Sequence, residues 1–114
     1  MKGTVKSKDD MERLFREGRR SSSYLLSVLA LPSPAGFEET GRLGFIAGKK
    51  LGVAPYRCRC KRVMRAAAAE LGGPWPGWDV VFVARYKTGR ADHAKLLKEM
   101  CKCLGGIEVL AHER

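Results

Sequence analysis

Five consecutive apolar residues, Val80-Val81-Phe82-Val83-Ala84, stand between Asp79 and Arg85. A run of this length, continuous rather than alternating, suits a central β-strand buried on both faces. Such a strand has to find its neighbours within 114 residues, of which 45% are hydrophobic and 30% charged. That composition supports one modest core and excludes a wholly disordered chain. Residues 1–114 therefore read as a single domain. The length alone excludes a large catalytic scaffold such as an α/β barrel.

The flanking segments alternate in kind. Ser7, followed by Asp9 and Asp10, suits the start of a first helix, with Met11, Leu14 and Phe15 on one face until Gly18 stops it. Tyr24 to Leu31 reads as a strand in which Ser23, Leu25, Ser27 and Leu29 alternate, and Pro32 to Gly41 reads as a loop. Arg42 to Gly48 is a second strand, with Leu43, Phe45 and Ala47 on one face and Arg42, Gly44, Ile46 and Gly48 on the other. The two glycines leave room for close approach of a backbone or ligand, or mark a bulge. Pro55 opens a helix that runs to about Leu71 and ends at Gly72-Gly73-Pro74. From Ala91 to Leu104, the residues Ala94, Leu97, Cys101 and Leu104 recur at helical spacing. No internal repeat is visible. The order helix, strand, strand, helix, strand, helix predicts an α+β fold, a small two-layer sandwich of helices on a mainly antiparallel sheet.

Charge narrows the function. Lys and Arg number 22 against 12 Asp and Glu, a formal net charge of +10. An excess of this size is costly through self-repulsion unless a polyanion or anionic surface balances it. The charge concentrates on the helix from Pro55. At about 100° per residue, Arg57, Lys61, Arg65, Arg62 and Arg59 occupy one broad side, while Val63, Ala67, Cys60, Leu71 and Met64 fall on the other. No carboxylate relieves the cationic side before Glu70, and Lys49 and Lys50 extend it upstream. A merely solvated face carries Glu at helical spacing to offset such repulsion, so the pattern points to polyanion binding.

The run from Gly48 to Arg65, Gly-Lys-Lys-Leu-Gly-Val-Ala-Pro-Tyr-Arg-Cys-Arg-Cys-Lys-Arg-Val-Met-Arg, resembles the signature of the bacterial ribonuclease P protein subunit. That family reads K-K-x-G-x-A-x-x-R-N-R-x-K-R-x-x-R. Lys49, Lys50, Gly52, Ala54, Arg57, Arg59, Lys61, Arg62 and Arg65 match it, and Cys58 stands where the family has Asn. The likeness extends to Met11-Glu12-Arg13-Leu14-Phe15, to Arg42-Leu43-Gly44-Phe45 and to the strand from Asp79 to Arg85. Pro55 and Tyr56 depart from the small and aliphatic residues usual at their positions.

The resemblance implies a subunit of a ribonucleoprotein endoribonuclease that removes the 5′ leader of precursor tRNA. In that family the RNA subunit, with bound Mg2+, performs the phosphodiester chemistry. The resemblance assigns Lys49, Lys50, Arg57, Cys58, Arg59, Lys61, Arg62 and Arg65 to the catalytic RNA and a central cleft to the single-stranded leader. It also implies a left-handed βαβ crossover, an exception to the usual hand.

Single-stranded RNA needs a positive groove with aromatic or apolar platforms, and Met11, Phe15, Tyr24 and Phe45 are the candidates for the leader cleft. Met11 replaces the family's common aromatic residue with a softer thioether. Phe45 fits core and cleft equally. No catalytic residue is expected in the protein itself: His93 and His112 are scattered, and no Ser-His-Asp order or paired carboxylate is evident.

Cys58, Cys60, Cys101 and Cys103 form two C-x-C pairs. Residues two apart on a helix point about 200° away from each other, so zinc is not expected and ordinary reduced thiols are. Cys58, among Arg and Lys neighbours, is a candidate reactive thiol, and it offers RNA only weak versions of the donor and acceptor of Asn. Met1 to Asp10 is polar, and the apolar stretch from Tyr24 to Leu31 is too short to span a membrane. The expected location is therefore cytoplasmic, with no membrane partner. Two other classes fit the basic helix: a structural RNA-binding protein of ribosomal or assembly type, and a zinc-dependent nucleic-acid binder.

Overall fold

The apolar run at 80–84 lies between two other strands, with helices over both of its faces. The computed structural model describes residues 8–33 and 41–106. Its elements are α1 (Lys8–Glu17), β1 (Arg19–Ser22), β2 (Leu26–Pro32), β3 (Arg42–Ile46), α2 (Ala54–Glu70), β4 (Trp78–Ala84) and α3 (His93–Gly106). Short 3₁₀ turns occupy Lys49–Leu51 and Thr88–Arg90. The expected Ser7 cap, residues 34–40 of the loop, and His112 lie outside the described residues.

The strands are ordered β1-β2-β4-β3. β1 with β2 and β2 with β4 are antiparallel, while β3 runs parallel to β4 and reaches it through α2 in a βαβ unit. Alternation along β4 explains why the run is continuously apolar. Val80, Phe82 and Ala84 join Leu26, Val28 and Ala30 of β2 in a core closed by Cys60, Met64 and Ala67 of α2 and Leu96, Met100 and Leu104 of α3. Val81 points the other way and packs with Leu29 of β2 and Leu14 of α1. Each fully buried Leu, Val, Phe or Met among them contributes roughly 1.5–3 kcal/mol. The sandwich of helices on a sheet is thus α2 and α3 on one face, and α1 adds a partial layer on the other.

Two departures from the sequence reading occur near the start of the sheet. Arg19–Ser22 forms an edge strand, and Tyr24 is not on a strand but in the hairpin connection before Leu26. β1 reads Arg-Arg-Ser-Ser and has no apolar alternation to announce it; it is held by its backbone ladder to β2, from Arg19 opposite Ala30 to Ser22 opposite Ser27. The turn is fixed by the Leu25 N–H donating to Ser23 Oγ at 3.1 Å and the Ser23 N–H donating to the Leu26 carbonyl at 2.8 Å.

Arg42, on the strand face opposite Leu43, Phe45 and Ala47, is only 5% exposed, and Asp79 beside it is 0% exposed. Arg42 grips the Asp79 carboxylate with both ends of its guanidinium, Nε to Oδ1 at 3.1 Å and Nη2 to Oδ2 at 2.6 Å. The Ser33 hydroxyl donates to Oδ1 at 3.1 Å, and Arg13 of α1 lies 3.5 Å from Oδ2. Gly41 delivers the chain to this pair with φ 69°, and a Cβ there would meet the Trp75 carbonyl oxygen at 2.0 Å. Asp79→Ala removes the buried carboxylate on which Arg42, Arg13 and Ser33 converge, so unfolding free energy should fall by about 3–5 kcal/mol, read as an earlier urea midpoint.

Candidate nucleic-acid interface

The basic face is built by α2. Its N-cap is Val53, Pro55 sits in the first turn, and no acidic residue occupies that turn. Cys60, Met64, Ala67 and Ala68 are buried, which anchors the helix and turns Cys58, Arg59, Lys61, Arg62 and Arg65 outward as exposed residues. Lys49 and Lys50 are exposed on the 3₁₀ turn immediately before it. The cations crowd the half of the helix nearest its N-terminus, where the macrodipole is already positive, so mutual repulsion and dipole act in the same unfavourable direction. Glu70, the sole carboxylate on α2, lies at the far end and is paired with His93, Oε2 to Nε2 at 2.5 Å. Arg57 departs from the expected pattern: it is half-buried, and its Nε is enclosed without a hydrogen-bond partner among the described residues. At about 100° per residue it falls on the buried side of the helix, between Met64 and Ala68.

Several of these side chains are held rather than waving. Arg59 Nε donates to the Gly89 carbonyl at 2.7 Å. Gly89 permits that approach, because a Cβ there would lie 2.8 Å from the Tyr56 ring and 3.0 Å from Cys60 Sγ. The Arg65 guanidinium lies 5.2 Å from the centre of the Phe45 ring, which itself stacks on Phe82 at 5.6 Å. Lys61 and Arg62 are exposed, with no ion pair to a described residue.

The four candidates for the leader cleft are not brought together. Met11, half-buried, lies on α1 over the sheet face that carries Leu31, Ile46 and Val83, and Phe15, 45% exposed, projects from the same helix. Phe45 faces the opposite side, packed against the α2 and α3 core. Tyr24 projects from the hairpin and lines a groove with Tyr86, Lys87, Arg90 and Lys95. Sequence reasoning missed Tyr56, Tyr86 and Arg90. The interleaved Arg85-Tyr86-Lys87 immediately after a buried strand was the signal available for them.

The cysteines diverge as helical spacing requires: Cys58 and Cys101 are exposed, Cys60 and Cys103 buried. Among the described residues no three His, Cys, Asp or Glu side chains converge to hold a metal ion. Burial pushes the Cys103 thiol up, and burial, with the neighbouring Cys60, pushes the Tyr56 phenol up.

A cation-faced helix on one side of a mixed sheet, with a partly open apolar face under α1 on the other, defines a small nucleic-acid-binding α+β protein. The family model described as Ribonuclease P matches residues 2–108. The ribonuclease P protein component of Dehalococcoides mccartyi (strain 195) is 31% identical over 104 residues, covering 91% of this chain and 83% of that protein. The component of Nitratiruptor sp. is 33% identical over 110 residues, covering 95% and 96%. The fold is similar to the Staphylococcus aureus RNase P protein, with a TM-score of 0.78 at 21% identity over 93% of this chain and 95% of that one. It is also similar to the RNase P protein from Thermotoga maritima, with a TM-score of 0.73 at 24% identity over 87% and 92%. The chain belongs to the ribonuclease P protein component family, the protein subunits of a tRNA-processing endoribonuclease.

In the folded protein, Cys58 and Cys101 should react promptly with a thiol reagent, and Cys60 and Cys103 only on unfolding; counting modified thiols with and without denaturant checks this. The raised Cys103 and Tyr56 bind their protons more tightly in the folded state than in the unfolded one. Their contribution to stability is present at neutral pH and is lost as pH rises from the ordinary thiol and phenol ranges through the raised folded-state values, so melting temperature should fall along that alkaline limb.

Proposed function

We propose that this chain binds the catalytic RNA of ribonuclease P through α2 and the turn before it, and holds the 5′ leader of precursor tRNA against the α1 face of the sheet. The observation that carries this reading is the outward set Arg59, Lys61, Arg62 and Arg65, with no carboxylate on α2 before Glu70. Lys49, Lys50, Arg57 and Cys58 belong to the same surface, with Arg57 more recessed than the rest. Arginine suits this task because its planar fork donates two parallel hydrogen bonds to one phosphate, and because displaced counterions favour the complex. The Arg59 bond to Gly89 and the Arg65 contact with Phe45 orient two of these forks before RNA arrives, lowering the ordering cost.

Phosphodiester cleavage belongs to the RNA subunit, where Mg2+ supplies the charge stabilisation. The protein contributes position and charge. Its cations substitute for part of the diffuse magnesium otherwise needed to bring two polyanions together. For the leader, Met11 offers a platform beside Ile46 and Val83, and Phe15 an exposed ring on the same helix; Phe45 acts instead beneath Arg65, and Tyr24 at a separate groove. Residues 1–114 work as one such domain in the cytoplasm, and no helix among the described residues is long and apolar enough to cross a membrane.

Precursor tRNA cleavage by a bacterial ribonuclease P RNA at low Mg2+, with and without this protein, tests the proposal. The protein should lower the Mg2+ requirement and show no cleavage alone; activity of rigorously RNA-free protein would overturn the division of labour. Arg62→Ala should weaken binding to the catalytic RNA and reduce the salt slope by about one unit, measured by titration at several salt concentrations. Phe15→Ala should cost about 1–3 kcal/mol of affinity for precursor tRNA and none for mature tRNA, which has no leader to stack.

A further inference from the structure

A second aromatic and cationic surface lies beyond the start of α2, around the edge of the molecule. Tyr24 and Tyr86 are 58% and 59% exposed, distant in sequence, and line one groove of about 530 Å³. Lys87, Arg90 and Lys95 share its wall, with Asp92 the carboxylate among them. Isolated exposed tyrosines are ordinary on protein surfaces, but this pair is positioned by buried structure. The Thr88 side chain is wholly buried; its hydroxyl accepts from the Arg85 N–H at 2.8 Å and donates to the Leu25 carbonyl. That bridge ties the hairpin carrying Tyr24 to the turn carrying Tyr86.

The second wall is equally fixed. Tyr56 Oη donates to the Tyr86 carbonyl at 2.6 Å, and the Arg90 guanidinium lies over both rings, 5.3 Å from the centre of Tyr86 and 5.6 Å from that of Tyr56. The result is a rigid aromatic ledge with a guanidinium on one side and lysine ammonium groups at its edge. Its volume falls within the usual range for small-ligand sites, roughly 300–1,000 Å³.

We infer that the Tyr24–Tyr86 groove is a second binding site for single-stranded RNA, in which an unpaired base stacks on tyrosine and the flanking phosphates meet Lys87, Arg90 and Lys95. Charge complementarity selects the occupant: three cations against one carboxylate favour a polyanion, and exposed ring faces suit the bases of a single strand. A duplex keeps its bases stacked inside and has none to offer the ledge. Through Tyr56 and Arg90 the groove adjoins the start of α2, so a strand lying in it continues the basic surface of that helix around the edge of the molecule. This inference extends the RNA-binding reading above and is separable from it.

The test uses the full chain, a short labelled oligoadenylate and an RNA duplex of equal length, with affinities read by fluorescence anisotropy. Tyr24→Ala with Tyr86→Ala should weaken oligoadenylate binding at least about fivefold, leave duplex binding unchanged and keep the melting temperature. Tyr24→Phe with Tyr86→Phe, which retains both rings, should bind within about twofold of the original protein. Lys95→Glu, remote from the buried bridge, should also weaken oligoadenylate binding. Unchanged oligoadenylate affinity in the double alanine variant, equal losses for single strand and duplex, or an equal loss in the phenylalanine variant would each overturn the site. A protein that stimulates the catalytic RNA yet fails to bind oligoadenylate overturns the groove alone, whereas loss of stimulation in the original protein overturns the broader reading.

Discussion

The Asp79 carboxylate is the interaction on which the rest of the arrangement depends. It sits at the start of β4, fully buried, and is reached by Arg42 from β3, by Ser33 from the end of β2 and by Arg13 from α1. Arg42 and Asp79 are also register partners in the parallel pair, so one charge contact sets which residues of β3 and β4 lie side by side. A buried carboxylate is costly unless its lone pairs and charge are both met, and here two guanidinium groups and a hydroxyl converge on it. Where β3 is fixed, α2 is fixed too, because the helix spans from β3 to β4.

That placement gives the basic helix its meaning. The repulsion among Arg59, Lys61, Arg62 and Arg65, aggravated by the positive end of the helix dipole, is tolerated because Cys60, Met64, Ala67 and Ala68 bury the opposite side. Folding stability comes from the apolar face, and the unresolved electrostatic energy is carried by the polar one. A bound polyanion would relieve it, which is why the charge distribution supports the proposed RNA surface. The same economy recurs where Arg65 lies on Phe45 and Arg90 on Tyr56 and Tyr86: an aromatic face orients a cation without neutralising it.

The two faces of the sheet divide the work. The α2 and α3 side holds most of the core, while the α1 side buries Leu14, Leu29 and Val81 and leaves Met11, Ile46 and Val83 only partly covered. This partial cover leaves apolar surface on the α1 side, which is the basis for proposing it as the leader surface. α1 is therefore both a structural layer, through Leu14 and Arg13, and a source of exposed aromatic surface, through Phe15.

The sequence by itself determined the central strand, the helix from Pro55, its cationic side and the arginine-rich motif that places the chain in its family. These follow from periodicity and charge spacing, which are local properties and survive without knowledge of partners. Periodicity also assigned Leu43, Phe45 and Ala47 to one face of their strand, as found. It could not say which helix covers that face, and so Phe45 remained open between core and cleft until its stacking on Phe82 was seen. The edge strand at Arg19–Ser22 has polar side chains and is defined by backbone bonds to a strand elsewhere in the chain. The ion pair of Arg42 with Asp79 has no local signature, because the two residues lie 37 positions apart in the sequence. Tertiary structure alone decided the Asp79 cluster, the recess around Arg57 and the meeting of Tyr24 with Tyr86. Each is a contact between segments whose local patterns carry no record of one another, and only the packed sheet brings them within reach.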